Sequence, residues 1–209
     1  MKRTKFILLS VLSLVLASAR LDAAKFVIDS VHSDVTFKIR HMVVSKVSGR
    51  FGKFSGEFNY DEKNPSAWNA TATIDAASID TNNANRDEHL KSPDFFDVEK
   101  FPAITFRSAG VKNISGGKAQ LEGILMMKGV EKPVTLDLEV GGVSTAGGKT
   151  KSGFSAITKI NRKDFGINYN KVLDNGGVAL GDEVEISINI EGDLVEETKP
   201  ETQKAPKKK

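Results

Sequence analysis

From Glu183 to Glu191 the chain alternates without a break. Val184, Ile186, Ile188 and Ile190 fall on one side, and Glu183, Glu185, Ser187, Asn189 and Glu191 on the other. A period of two lays apolar side chains on one face of a β-strand and polar ones on the other, a pattern that a helix of 3.6 residues per turn cannot present. The same period recurs upstream, so the chain is restricted to sheet folds with one dry face. Val35, Phe37 and Ile39 oppose Thr36, Lys38 and Arg40. Phe54, Gly56, Phe58 and Tyr60 align in a run that begins near Val47, bent by Gly49 and Gly52, with Phe51 marking a register change at a bulge. Trp68, Ala70, Ala72 and Ile74 form a third set, Ile104 and Phe106 a fourth, and Leu121, Gly123, Leu125 and Met127 a fifth. Val134 to Val140, then Phe154, Ala156 and Ile160, and finally the Glu183–Glu191 run bring the expected number to eight strands.

Turn residues separate these runs: Asn64-Pro65-Ser66, Ser115-Gly116-Gly117, Gly141-Gly142 with Gly147-Gly148, and Asn175-Gly176-Gly177. Eight antiparallel strands can close into a barrel, which removes exposed edges, or split into a two-sheet sandwich. Alternation alone leaves both open. One stretch breaks the pattern. In Asn85–Pro102 a helix is expected from Ala84, capped by Asn82 or Asn83 and stopped at Ser92-Pro93, where Ser92 can cap a further turn. Phe95 and Phe96 ride on that turn, with at least one of them facing the barrel.

The first residues have the pattern of a leader. Lys2, Arg3 and Lys5 precede the largely apolar Phe6–Ala17, and Ala17-Ser18-Ala19 supplies small residues for cleavage after Ala19 or Ala23. We therefore expect residues 1–24 to be a signal peptide, 25–195 the folded domain and 196–209 a disordered Lys/Pro-rich tail, with a periplasmic destination. The absence of cysteine excludes a thiol nucleophile, disulfides and a lipid-modified cysteine. Of 30 basic and 27 acidic residues, 1–24 hold four and one, and 198–209 hold five and one. The body between them carries 21 and 25, net −4, which argues against a nucleic-acid surface on the folded domain. The basic tail suits transient contact with an anionic membrane surface.

Catalytic signatures are lacking. No serine sits in a Gly-x-Ser-x-Gly turn. His32, His41 and His89 form no closely spaced pair, so no metal site is expected. Arg162, Asp164 and Phe165 form a compact motif, expected to act as an internal ion pair bracing one end of the barrel.

Several blocks together resemble the YceI-like family of exported, lipocalin-like polyisoprenoid-binding proteins. They are Ile28-Asp29 with His32–Phe37, His41-Met42, Gly49-Arg50-Phe51, and above all Arg86–Asp97 ending in Lys100-Phe101-Pro102. Gly123, Lys128-Gly129-Val130, Lys132-Pro133-Val134, Arg162–Gly166 and Gly181–Val184 continue the match. The resemblance implies an extended eight-stranded antiparallel lipocalin-like β-barrel with a short helical insertion near residues 84–97. Its bore would hold an isoprenoid lipid as ligand, without cofactor or catalysis.

With that resemblance the bore is lined by Phe37, Ile39, Phe58, Ala72, Phe106, Gly123, Leu125, Met127 and Phe154. The mouth and head-group positions fall to Arg40, His41, Arg86, His89, Phe95 and Phe96. A ligand of about 40 carbons at about −0.3 kcal/mol per heavy atom would reach roughly −12 kcal/mol, in the nanomolar range. The competing functions are binding of other long amphiphiles, such as fatty acids or their amides, and an enzyme or stress factor acting on isoprenoid intermediates.

Overall fold

The computed structural model describes residues 23–173 and 177–196. The expected leader, apart from its last two residues, and all but the first residue of the expected tail lie outside the described residues. Among the described residues eleven strands form one continuous sheet: β1 (Ala24–Ile28), β2 (Asp34–His41), β3 (Ser45–Phe51), β4 (Phe54–Tyr60), β5 (Asn69–Asp75), β6 (Ile79–Asp80), β7 (Ala103–Ser115), β8 (Lys118–Met127), β9 (Val130–Ala146), β10 (Lys149–Asn161) and β11 (Leu180–Leu194). Every pairing between strands is antiparallel, and β11 is bordered by β10 on one side and by β2 and β1 in succession on the other. That double pairing closes the sheet on itself.

Three walls of the barrel are broken in two. β1 and β2 share β11 as neighbour, β3 and β4 part at Gly52-Lys53, and β5 and β6 part at the 3-10 turn Ala76–Ser78. Counted as walls, the chain makes eight antiparallel strands in up-and-down order, the barrel and not the sandwich. The bend expected around Gly49–Gly52 is present and is matched across the sheet. Gly52 N–H donates to the Ser78 carbonyl at 3.0 Å and Asp75 N–H to the Lys53 carbonyl at 3.0 Å, so two irregular segments satisfy each other. Ala24–Ile28 escapes a reading by periodicity because it is short with a single deeply buried residue, Phe26, yet it is the strand that completes closure.

An up-and-down order sends alternate connections to opposite ends. The upper end carries residues 42–44, 81–102, 128–129, 162–173 and 177–179; the lower end carries 61–68, 116–117 and 147–148. Two upper-end connections, 81–102 and the one after Asn161, are long enough to fold over the opening, whereas Gly116-Gly117 and Gly147-Gly148 at the lower end turn tightly with positive φ, where a Cβ would be strained. Apolar side chains point inward and charged pairs such as Lys25–Glu57, Arg107–Glu131 and Lys159–Glu183 decorate the outside. This is the inverse of a barrel that spans lipid with a polar interior. Among the described residues no helix is long and apolar enough to cross a membrane.

An ion-pair network locks the lower half of the wall. The Lys151 ammonium lies 2.9 Å from Asp29, 2.6 Å from Glu191 and 3.1 Å from Asp193, and His32 Nδ1 is 2.7 Å from Asp29. It ties the β1–β2 turn to β10 and β11. Asp29, His32 and Glu191 offer three ligand atoms within 4.8 Å of one another, but Lys151 already bridges both carboxylates. The contacts from His32 and then Lys151 hold the Asp29 carboxyl far below the usual carboxylate range. A depressed carboxylate stabilises the fold above its unfolded value of about 3.9 and loses that contribution as pH falls towards its folded value. Comparing urea midpoints of the wild type and Lys151→Met across pH should therefore reveal a stability difference largest near neutrality. It should shrink below about pH 4. A difference independent of pH would leave the network without a role in acid stability.

Candidate functional site

The bore contains a cavity of about 410 Å³, within the range of roughly 300–1,000 Å³ usual for small-molecule sites. Its walls are set by strand parity. On β11 alone Leu180, Val184, Ile186, Ile188 and Ile190 line it. A two-residue bulge in β11 between Leu180 and Val184 leaves about eight ladder steps from Leu180 to Ile190, roughly 26 Å of strand or about 20 Å of depth at a typical tilt of ~40°.

Aromatic rings form the floor. Phe26 stacks on Phe58 with centroids 5.2 Å apart, and Phe58 meets Phe154 edge-on at 5.2 Å. Phe26 and Phe58 are buried with Ile190, which seals the lower end. At mid-height Ala72, Phe106, Leu121, Leu125 and Leu136 face the space. Ala72, opposite Gly56 on one side and Phe106 on the other, brings only a methyl group to the wall, while Ile28 covers Gly56.

The insertion forms the roof. Asn83 caps α1 (Ala84–Lys91), its side chain accepting from Arg86 N–H at 3.0 Å, and the helix ends at Ser92 as expected. Beyond Ser92 a set of turns, with Asp97 at positive φ, carries Phe95 and Phe96 inward, and both line the cavity. Phe96 meets Phe51 edge-on at 5.8 Å, and Phe51 lies 5.8 Å from Phe37. Phe95 is buried and packs between His89 at 5.1 Å and Tyr169 at 5.0 Å. The roof is thus joined to the walls by continuous ring contacts.

Polar groups gather at the same end. Thr81 donates its N–H and hydroxyl to Asp87 and accepts from Arg86 Nε at 2.7 Å; Arg86 Nη2 also donates to the Thr81 carbonyl at 2.7 Å. Arg86 is therefore braced by the insertion while it lines the mouth. His89 Nε2 lies 2.8 Å from the Asp94 carboxylate, which can only accept, so the proton belongs on Nε2. His41 and Lys171 line the mouth from the facing rim.

Arg162 anchors that rim. It is 3% exposed, and it donates to three backbone carbonyls: Gly181 at 2.9 Å, Ile167 at 2.7 Å and Tyr169 at 2.8 Å. Its ionic partner is Asp182 at 3.4 Å, not the neighbouring Asp164 expected from the sequence. Burial lowers its pKa, partly offset by Asp182, yet no arginine in a protein loses its proton near neutrality.

Of the expected bore set, Phe37, Ile39, Phe58, Ala72, Phe106, Leu125, Met127 and Phe154 line the cavity. Gly123 does not. It faces inward, but a Cβ there would run into the Phe106 ring and lie 2.6 Å from the Arg107 carbonyl, so the ring covers it. Of the expected mouth set, His41, Arg86, His89, Phe95 and Phe96 border the cavity, whereas Arg40 is turned away. Its parity on β2 is opposite to Ile39 and His41, and its Nη1 donates to the Val43 carbonyl at 2.9 Å. The three histidines do not converge, since His32 belongs to the lower lock and the other two to the upper rim. Tyr169, Ile167 and Lys171 also line the cavity, and the sequence gives no sign of it. They lie after the left-handed Gly166 in an irregular segment, where no periodicity marks which side chains turn inward.

Residues 26–192 match the model of the YceI-like domain. The chain is 42% identical to protein YceI of Salmonella newport over 184 residues, covering 86% of this chain and 92% of that one. The crystal structure of BcnA from Burkholderia cenocepacia superposes with a TM-score of 0.68 at 26% identity, covering 78% of this chain and 98% of BcnA. A polyisoprenoid binding domain from Saccharophagus degradans, implicated in plant cell wall breakdown, superposes at 0.60 over 83% of this chain and 99% of that one. At 14% identity the last likeness speaks for the fold.

Proposed function

We propose that this chain, which belongs to the YceI-like domain family, is an exported, non-enzymatic binding protein that holds one polyisoprenoid chain lengthwise in its bore. The observation that carries this reading is the cavity lined by aliphatic and aromatic side chains from Leu180 near the roof to Ile190 at the floor. Such a lining binds by removing apolar surface from water, at about 0.8 kcal/mol per methylene before the costs of association. It selects for length and slenderness. A bore about 20 Å deep accepts one slender chain laid lengthwise. The fold shared with the Saccharophagus degradans polyisoprenoid binding domain supports the same ligand class.

Arg86, His89, His41 and Lys171 then face the polar end of the ligand at the upper rim. A quinone carbonyl or a phosphate would accept from such donors. The basic, apolar and small residues of the leader segment favour export to the periplasm, where a water-insoluble chain needs a carrier between membranes.

Organic extraction of protein purified from its native host, followed by mass spectrometry, tests the reading. A stoichiometric isoprenoid is the expected result. Stoichiometric fatty acids or amides would assign a different cargo, and extracts without any lipid would remove the carrier role. Turnover of an added isoprenoid, lost on changing His89 to Ala, would overturn the non-enzymatic assignment.

A further inference from the structure

The upper rim carries an apolar projection that the barrel itself does not use. At the tip of the β2–β3 hairpin Val43 is 65% exposed and Val44 85% exposed, with Met42 beside them. Met42 and Val43 both have positive φ, +49° and +67°, a region that favours Gly and Asn and is an outlier for a β-branched residue. A tight turn of this kind is ordinarily filled by Asn and Gly. Here folding preference is overridden in favour of apolar side chains pointing into water.

The tip is not isolated. Met42 N–H donates to the Ala179 carbonyl at 2.7 Å, and Val172 pairs with Val178 in a short antiparallel bridge on that neighbouring segment. Val172 is 78% exposed. Two adjacent ribbons therefore present Met42, Val43, Val44, Val172 and Val178 together. The same ribbons supply His41, Lys171, Ala179 and Leu180 to the cavity lining, so the projection is continuous with the cavity mouth.

Charge is arranged behind the apolar tip. From Val35 to Arg50 the hairpin carries Lys38, Arg40, Lys46 and Arg50 and no carboxylate of its own, with Lys46 paired to Glu185 at 3.4 Å and Arg50 to Asp80 at 2.9 Å on neighbouring strands, which leaves Arg40 as the cation nearest the tip. Arg40 is fixed to the tip by its bond to the Val43 carbonyl. Apolar side chains in front with cations set back by a few residues is the arrangement that enters an anionic bilayer, the valines at the acyl boundary and the cations at the head groups.

We propose that this rim docks on the surface of an anionic lipid bilayer and turns the cavity mouth towards it. The inference rests on the lipid-carrier reading for its purpose, but docking is measured separately from cargo. The full chain is sedimented with vesicles of phosphatidylcholine, with and without phosphatidylglycerol, and its lipid content is measured by extraction. Wild type should partition onto the anionic vesicles, and less so as salt rises. The double variant Val43→Asn, Val44→Ser relieves the turn and so should fold at least as well. It should lower partition by roughly ten-fold or more, because two valines no longer leave water. Arg40→Gln with Lys46→Gln should remove the preference for phosphatidylglycerol. Equal partition of wild type and the valine variant overturns the proposal, as does concentration-dependent self-association that the valine variant abolishes, which would make the rim an interface between copies. A protein that partitions as described yet yields no lipid on extraction keeps the docking surface and sinks the carrier reading.

Discussion

Replacing Arg162 with Met lowers the stability of the barrel by about 3–5 kcal/mol in urea denaturation. The expectation comes from what the guanidinium leaves behind. Its three carbonyl partners at Gly181, Ile167 and Tyr169 belong to the strand start and the loop that frame the mouth. Methionine fills similar volume but offers no donor, and each buried carbonyl left unpaired costs about 1–3 kcal/mol unless water reaches it. Lys at this position keeps the charge without the planar fork and should recover only part of the loss. The mouth should loosen first, detected as faster amide exchange at Ile167 and Tyr169 than in β7 to β9. A Met variant within about 0.5 kcal/mol of wild type would mean that the rim is held by the Asp182 and Lys163 contacts instead.

Ala72→Phe should have the opposite signature, with binding lost and folding kept. Ala72 lines the cavity between Gly56 and Phe106, so an added ring enters empty space instead of a packed core. Burying the new ring gives about 1.5–3 kcal/mol if its rotamer is unstrained, so the melting temperature should hold or rise. Bound lipid, measured by extraction, should fall by roughly ten-fold or more, because blocking the bore at mid-height removes several methylenes' worth of contact at about 0.8 kcal/mol each. Undiminished lipid in a stable variant would take the ligand out of the bore. Gly123 is unsuited to the same experiment. A side chain there meets Phe106 and the backbone of Arg107, so its effect would be on folding.

The alternation of β11 puts Ile186 to Ile190 inward as written, because a fully paired antiparallel strand leaves each side chain only two directions. The N-cap at Asn83 and the stop at Ser92 are equally legible, being set by local hydrogen bonds to backbone groups the helix cannot satisfy itself. At Arg40 charge and parity give opposite answers. Its charge suggests the mouth, but its strand position sends it outward, and parity wins. Arg162 shows a limit of sequence proximity, since its ionic partner is Asp182, in the next strand, and not Asp164 two positions away.

Eight wall strands, an apolar face on each, and one helical interruption bearing two phenylalanines could be derived without any structure, since they depend on local period and capping. Closure, the depth of the cavity and the identity of its rim emerged only with the folded barrel. They depend on β11 being shared by β1 and β2, on the Gly52 and Ala76–Ser78 breaks facing each other, and on an irregular loop bringing Tyr169 against His89. Such contacts are selected by packing between segments far apart in the chain, and no local pattern records them.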